Sequence, residues 1–302
     1  AGNKISRAKF LTQVGLGMAG IPFSGMVYGM LQGRFDFRVI HQKVSFPNLP
    51  KAFSGLRIVQ ISDAHLGSFY RNYAAVQEVF VMVNDLNPDV IVFSGDMVNN
   101  YADEVDGWEP FFQSLNAKYA KYAILGNHDY GDYVAWPSEA AKQKNLQYLI
   151  DKIESMGFNM LLNESDRLQI GSDEIAVIGV ENWGHGRFSK YGDLSKAMRG
   201  VNQSFKLLLS HDPTHWDEQV IGNTDIDLTL SGHTHGMQFG IEVPGIKWSP
   251  AQYRYPHWGG LYNKGKQYLH VNRGFGYIGF PGRVGISPEI TLIELTSDEA
   301  SA

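Results

Sequence analysis

The chain has 302 residues, of which 43% are hydrophobic and 19% are charged, so it is long enough to bury an ordinary globular core. Its 26 basic and 31 acidic side chains give a formal net charge of −5, and the sequence contains no basic tract. A nucleic-acid partner is therefore not expected. The absence of cysteine excludes disulfide bonds and thiolate-held metal ions.

The first 40 residues form an apolar segment. No charged residue lies between Phe10 and Gln32, which is long enough to span a membrane, and three basic residues precede this stretch as in a signal or anchor segment. Five glycines and Pro22 make it a poor continuous helix in water. Membrane association of residues 1–40 is favoured, and packing onto a domain formed by residues 41–302 is the alternative.

Two short motifs lie within this segment. The run at 6–11 looks like a twin-arginine export signal that lacks its second arginine. The run at 15–20 has the G-x-G-x-x-G spacing of a dinucleotide-binding loop, but no strand pattern precedes it. No nucleotide cofactor is therefore expected.

Beyond the apolar segment, short apolar runs alternate with helical patterns. Apolar residues recur at helical spacing over 76–86 and 146–153, which predicts two helices. Predicted strands cover 57–61, 90–93, 122–125, 175–180, 205–209, 228–230, 268–271 and 290–295. The predicted fold is α/β, with a two-sheet β-sandwich flanked by helices.

Five islands of polar residues follow predicted strands. They are Asp63-Ala64-His65, Gly95-Asp96, Gly126-Asn127-His128-Asp129, Ser210-His211 and Gly232-His233-Thr234-His235. Ligands placed just past the ends of parallel strands converge on one crevice of an α/β sheet. Carboxylate, amide and imidazole groups suit manganese, iron, zinc or magnesium. The sequence therefore predicts a metal site in this crevice.

The order of these islands over residues 55–296 resembles the calcineurin-like metallophosphoesterase superfamily, with its pattern D-x-H, G-D, G-N-H-D/E, H and G-H-x-H. The resemblance implies a first metal site of Asp63, His65 and His235, a second of Asn127, His211 and His233, and Asp96 as the bridge between them. Two divalent ions roughly 3.5–4 Å apart acidify a shared water and clamp the phosphoryl oxygens. The implied reaction is hydroxide attack on a phosphodiester or pyrophosphate, with manganese as the favoured metal.

His128 matches the histidine of this superfamily that does not bind metal. The resemblance implies that it is the general acid to the leaving oxygen, or a donor to the developing charge. Many protein phosphatases of the superfamily carry an aspartate three residues after the bridging aspartate, to orient this histidine. Here Asn99 stands at that position, so His128 should be less basic or oriented by another group. Asp129 is the candidate for that group.

The remaining histidines, two insertions and two arginines lie outside the five islands. His215 is expected to support the site without binding metal, and the histidines without ligand-like neighbours are His41, His185, His257 and His270. Insertions at 130–162 and 182–202, and the aromatic segment 244–280, are candidate walls of the crevice. Arg273 and Arg283 are each either phosphate ligands or structural residues.

The apolar amino-terminal segment, with the Gly-His-Thr-His-Gly and Pro-Glu-Ile-Thr motifs, looks most like a bacterial membrane-associated branch of the superfamily. That branch includes enzymes that cleave the pyrophosphate of UDP-2,3-diacylglucosamine. The resemblance implies a phosphorylated small-molecule or lipid substrate and a membrane surface as partners. Two alternatives stay open: a phosphoesterase acting on soluble phosphoproteins or nucleotides, and a metal-bound module without catalysis.

Overall fold

Two six-stranded sheets packed face to face form the framework of the protein in the computed structural model, which describes residues 5–297. Within these residues the strands β1 to β14 are Arg38–Ser45, Arg57–Ile61, Val90–Phe93, Ala120–Ala123, Asn159–Met160, Glu164–Ile170, Asp173–Gly179, Lys206–Leu209, Leu228–Ser231, Ile241–Val243, Ile246–Trp248, Gly260–Lys264, Gln267–Val271 and Glu289–Thr296. The helices α1 to α5 are Arg7–Leu31, Gln77–Asp85, Glu109–Gln113, Glu139–Ser155 and Leu194–Ala197. Short 3-10 turns lie at Gly33–Phe35, Lys51–Phe53, Leu66–Phe69, Tyr73–Ala75, Ala102–Val105, His235–Gln238 and Pro250–Tyr253, and a π-type turn lies at Trp216–Val220.

Parallel strands occupy the centre of both sheets. The first sheet has the order β1-β14-β2-β3-β4-β5, in which β2 to β5 run parallel. The second has the order β12-β13-β9-β8-β7-β6, in which β13, β9, β8 and β7 run parallel. The strands β10 and β11 form a separate antiparallel hairpin. The carboxyl ends of β2, β3 and β4 in one sheet and of β8 and β9 in the other are the positions that can meet in a common crevice.

The main core lies between the sheets. Fully buried side chains from both sheets meet there, including Ile58, Val92, Ile124, Val177, Leu209 and Leu230. The helices cover the outer faces, where α2 and α4 contribute Val79, Val83, Leu149 and Ile153. Because the central strands are buried on both faces, their sequences are continuous apolar runs.

The predicted two-sheet α/β sandwich is confirmed, and each predicted strand is present with ends shifted by no more than a few residues. The strands that the sequence did not reveal are β1, β5, β6, β10, β11 and β12. These strands are short, lie at sheet edges or form the separate hairpin, so most of their positions stay partly exposed and their apolar pattern is weak.

The helix α1 is continuous through Pro22. A proline removes one hydrogen bond from a helix but leaves the flanking turns intact. The helix is long and apolar enough to cross a membrane, and its side chains are almost entirely exposed. Near its carboxyl end the helix contacts the described part of the domain, where Gly29 packs against Arg283 and Val284. Residues 1–4 of the predicted apolar segment, and residues 298–302, lie outside the described part of the chain.

Candidate metal centre

Five loops at the carboxyl ends of parallel strands bring the predicted site residues together. The loop after β2 carries Asp63 and His65, the loop after β3 carries Asp96, the loop after β4 carries Asn127 and His128, the loop after β8 carries His211, and the loop after β9 carries His233 and His235. The first three loops belong to one sheet and the last two to the other. The crevice therefore lies on the seam between the two sheets.

The potential ligand atoms form two groups. Asp63, His65 and His235 make one group, and Asp96, His211 and His233 make the other, with the ligand atoms of each group within 4.8 Å of one another. The Oδ2 atom of Asp96 lies 3.2 Å from His211 Nε2 and 3.6 Å from His65 Nε2. The Asp96 carboxylate therefore stands between the two groups, at the position that a ligand shared by two ions would occupy.

Two tyrosines fix the orientation of ligands in the second group. The Asn127 side-chain amide donates to the Tyr133 hydroxyl at 2.9 Å, which leaves Asn127 Oδ1 facing His233 Nδ1 at 2.8 Å. The other ring nitrogen of His233 lies 2.8 Å from the Tyr255 hydroxyl. Contacts of this kind set which ring nitrogen of a histidine faces a metal. Sequence analysis did not assign these roles, although both tyrosines lie in segments that it marked as candidate walls.

The donor atoms fit divalent cations. His65 Nε2 and His235 Nε2 face each other at 3.0 Å, and Asp63 Oδ1 lies 3.2 Å from His235 Nε2, so three potential ligand atoms point at one another. The Nδ1 atom of His211 hydrogen-bonds the Ser94 carbonyl at 2.7 Å, which leaves its buried Nε2 atom facing Asp96 Oδ2 at 3.2 Å. Imidazole nitrogens and carboxylate oxygens that converge in this way are the ligands that divalent cations take, and a cation at each group would bind them.

The backbone of the ligand loops is strained. Five of the proposed ligands have left-handed φ angles: Asp63 at 51°, His65 at 45°, Asp96 at 60°, His233 at 75° and His235 at 50°. Such a conformation in a residue other than glycine costs on the order of 1–3 kcal/mol and clusters at functional sites. The adjoining glycines allow close approach, since a Cβ atom on Gly126 would lie 2.2 Å from Asp96 Oδ1. These strained φ angles direct the ligand side chains into the crevice.

The buried charges favour cation binding. Burial opposes ionisation of Asp96, but the neighbouring His211 and His128 outweigh it and hold the pKa of the carboxyl well below its usual range. Burial lowers the pKa of His65 to about 3, so this imidazole is neutral and able to act as a ligand. Burial also disfavours charge on His211, but the Asp96 carboxylate outweighs it and raises the pKa of His211 to about 10. A proton on His211 therefore balances the Asp96 charge, and a divalent ion held by these two residues would take its place.

A main-chain carbonyl orients His128. Its Nδ1 atom hydrogen-bonds the carbonyl oxygen of Asn99 at 2.7 Å, and its backbone N–H donates to Asp96 Oδ1 at 2.8 Å. The Asn99 side chain instead bonds to the Ser68 hydroxyl. His128 is partly exposed, so its other ring nitrogen is free to reach a substrate.

The expectation that Asp129 orients His128 is wrong. Asp129 is fully buried, and its two carboxylate oxygens accept four backbone N–H bonds, from Asp96, Met97, Val98 and Gly126. Burial and the nearby Asp96 charge raise the pKa of Asp129 to about 7, while the bonds from Gly126 and Val98 act in the opposite direction. Asp129 therefore holds together the loops that carry Asp96 and Asn127.

The remaining histidines lie outside both ligand groups. His215 Nδ1 lies 2.8 Å from the Ser210 hydroxyl, and its Nε2 atom lies 3.1 Å from Gln219 Oε1, which is a structural arrangement. His185 contacts Glu218, His257 contacts Asp217, His270 contacts Gln60, and His41 lies on β1. Among the residues that the structure describes, these four are absent from the metal-ligand groups.

The walls of the crevice differ in part from the predicted ones. In the 182–202 insertion, the Phe188 ring stands edge-on to His233 at 5.0 Å, as expected for a wall. Most of the 130–162 insertion is instead the helix α4, which packs in the core because its apolar face covers the first sheet. Only its first residues, including Tyr133, reach the site.

The two arginines are structural. Arg273 is paired with Glu289 and Glu242. The Arg283 guanidinium is buried and donates to the carbonyl oxygens of Arg273, Gly274 and Gly276. The guanidinium of Arg273 is paired with two carboxylates. The guanidinium of Arg283 is bonded to backbone carbonyls, and its Nη2 atom also lies 3.2 Å from Nδ1 of the proposed ligand His235.

Sequence comparison agrees with this geometry. A sequence model of the family described as calcineurin-like phosphoesterase matches residues 56–237, which include all the proposed ligands. The chain belongs to this family. It is therefore a hydrolase of a metal-dependent family, and the alternative of a module without catalysis loses its support.

Three relatives illustrate the range of the family. The chain is 32% identical over 255 residues to the uncharacterized metallophosphoesterase YkuE of Bacillus subtilis (strain 168), covering 82% of each protein. It is 31% identical over 240 residues to the UDP-2,3-diacylglucosamine pyrophosphatase LpxG of Chlamydia trachomatis serovar D, covering 65% of this chain and 69% of that one. It is 29% identical over 286 residues to a transmembrane protein with metallophosphoesterase domain of Danio rerio, covering 89% of this chain but only 60% of that protein.

Proposed function

We propose that this protein is a membrane-anchored phosphoesterase with two divalent metal ions, acting on a lipid-linked phosphodiester or pyrophosphate such as UDP-2,3-diacylglucosamine. Residues 41–302 form the catalytic domain in this proposal, and residues 1–40 form the anchor. The observation that carries the proposal is the convergence of two ligand groups on the Asp96 carboxylate. One carboxylate between two sets of hard and borderline ligands is the arrangement that a two-metal phosphoesterase requires.

The proposed ligand sets are unequal. Asp63, His65 and His235 serve the first ion, while Asn127, His211 and His233 serve the second, and Asp96 serves both. Because the second set includes a neutral amide, it carries less negative charge than the first. Bound ions would neutralise charge on the phosphoryl oxygens and acidify the attacking water. Manganese suits this mixed oxygen and nitrogen set, with iron, zinc and magnesium as alternatives for metal analysis to distinguish.

Protein groups supply the remaining chemistry. His128 lies beside the Asp96 carboxylate, and the Asn99 carbonyl fixes its Nδ1 atom, so its Nε2 atom is directed at the crevice to protonate the leaving oxygen. The Tyr133 and Tyr255 hydroxyls hold Asn127 and His233 in orientation. These contacts keep the ligand atoms in place before substrate arrives, which lowers the cost of reaching the transition state.

Two observations support a membrane and a lipid-linked substrate. The exposed helix α1 is long and apolar enough to cross a bilayer. Among the relatives, LpxG is named for a diacylated nucleotide sugar and the Danio rerio protein is named as transmembrane. A bilayer-bound enzyme meets a bilayer-bound substrate at high effective concentration.

A turnover screen of the metal-loaded protein tests the proposal. The substrates are a monoester, a soluble diester, a nucleoside diphosphate and UDP-2,3-diacylglucosamine in mixed micelles, and the expected result is preference for the last. Asp96→Asn should lose most of both ions in metal analysis, whereas the exposed Asp85→Asn at the end of α2 should keep them. One bound ion or none in the wild-type protein after manganese is offered would refute the two-metal site. Preference for a soluble substrate would instead favour the alternative in which the anchor serves only location.

A further inference from the structure

The hairpin β10–β11 turns its apolar face toward solvent. Cross-strand pairing places Ile241 opposite Trp248 and Val243 opposite Ile246, so these four side chains share one face. Ile241 and Val243 are each 51% exposed, and Ile246 is 56% exposed. A soluble hairpin normally buries this face, because an isolated two-stranded sheet is only marginally stable in water.

The polar face of the hairpin turns toward the domain. The Glu242 carboxylate is paired with Arg273, and the Lys247 ammonium donates to the Gly259 carbonyl and lies over the Trp258 ring. The two charged groups of the hairpin are therefore paired with the domain, although both residues stay exposed along their length. Its aliphatic side chains are presented outward.

The base of the hairpin lies close to both the helix α1 and the metal centre. At the base of the hairpin, Val284 exchanges backbone hydrogen bonds with Gln238 and Gly240. The same Val284 side chain packs on α1, because a Cβ atom on Gly29 would lie 2.7 Å from it and one on Gly25 would lie 3.7 Å away. Gln238 follows the proposed ligand His235 by three residues. Val284 therefore links α1 to the base of the hairpin, beside the loop that carries this ligand.

We propose that the apolar face of the β10–β11 hairpin inserts into the same lipid bilayer that holds α1, as a second membrane contact. The proposal rests on the membrane anchoring in the proposed function. Its basis is the continuity of the hairpin with α1 through Val284 and the inward direction of its charges. Two attachment points fix the orientation of the domain, whereas a helix alone leaves it free to swing. The crevice then stays at the lipid surface, where a lipid-linked phosphate group lies.

Because the chain has no cysteine, single labelling sites test this directly. Ile246→Cys reports on the hairpin, Ile21→Cys on the exposed part of α1, and Ser165→Cys on β6, at the far edge of the second sheet. The full-length variants carry an environment-sensitive fluorophore and are reconstituted into phosphatidylcholine–phosphatidylglycerol vesicles that contain nitroxide lipids. The labels at 246 and 21 should be quenched by the lipid nitroxide, and the label at 165 should not.

The outcomes separate the hairpin from the anchor. Quenching at 21 without quenching at 246 overturns the inference and leaves the anchor in place. Quenching at neither position overturns the membrane anchoring of the proposed function, and the inference with it. A label at 246 that is shielded from aqueous iodide yet not quenched by lipid nitroxide shows that a second copy of the chain covers the hairpin, which also overturns the inference.

A functional variant gives an independent readout. Ile241→Ser with Ile246→Ser should lower turnover of a vesicle-borne substrate, by roughly fivefold for each half-exposed side chain, since less apolar surface enters the lipid. Hydrolysis of a soluble nitrophenyl diester should be unchanged, because neither residue belongs to the metal centre. Unchanged turnover of both substrates, or equal loss on both, refutes insertion of the hairpin as a determinant of activity.

Discussion

Replacement of Asp129 by asparagine tests whether this residue is a structural clamp. Its Oδ1 atom accepts the N–H groups of Met97 and Val98, and its Oδ2 atom accepts those of Asp96 and Gly126. An asparagine has one acceptor oxygen, so in either amide orientation two buried N–H groups face an NH₂ group. Each unsatisfied buried donor costs about 1–3 kcal/mol, which gives about 2–6 kcal/mol for the pair.

Urea unfolding of metal-free protein measures this loss, with the exposed Asp85→Asn variant as the matched control. Manganese affinity should fall as well, because the loosened loop carries the proposed bridge Asp96. Turnover at saturating manganese should recover in part. If Asp129→Asn keeps the stability and the metal affinity of the wild type but loses turnover, then Asp129 acts through His128 and the interpretation as a clamp is wrong.

Three further predictions concern catalysis, the anchor and pH. His128→Ala should keep its metal content but lose on the order of 10²–10⁴ in kcat on alkyl phosphate esters. The loss should be smaller on nitrophenyl esters, which need no proton on the leaving group. Asn99→Asp should leave kcat on both kinds of ester nearly unchanged, and a large change in this variant would mean that the Asn99 side chain, rather than its carbonyl, orients His128. Deleting residues 1–24 should preserve hydrolysis of a soluble diester and sharply reduce that of a vesicle-borne substrate, and equal loss on both would make the segment part of the fold. Burial lowers the pKa of His215 to about 4, so the folded state disfavours the proton that the unfolded chain takes up near pH 6.5, and stability falls as pH drops from about 6.5 toward 4. In urea unfolding at pH 8 and pH 5, His215→Asn should lose less stability than the wild type on acidification, and identical losses would contradict this assignment.

The sequence was most informative where strands are buried on both faces. The strands β2, β3 and β8 are continuous apolar runs because helices cover one side of each sheet and the other sheet covers the opposite side. Edge strands such as β1 and β6 have one partly exposed face, and their polar residues hide the pattern. The helical period of α4 was recognised, but its packing on the sheet depends on tertiary contacts that a local pattern does not contain.

The candidate site, like the fold, was predictable from the sequence only in part. Spacing and motif order were sufficient to choose seven candidate ligands that the fold brings together, because each follows the end of a parallel strand. The groups that orient them were not predictable in the same way. The Asn99 carbonyl is a main-chain atom with no signature in the sequence, and Tyr255 reaches His233 from 22 positions away. Such contacts depend on where loops lie after folding, which short motifs do not specify.

The placement of the ligands on the seam between the sheets has a mechanical consequence. Asp63 and Asp96 belong to one sheet, whereas His211 and His235 belong to the other. Ions held by both sets would act as a clasp that joins the two halves of the sandwich along one edge. Removing the ions with a chelator should therefore increase local opening of the sandwich at that edge. The faster amide exchange would appear in both sheets at once, rather than in the ligand loops of one sheet alone.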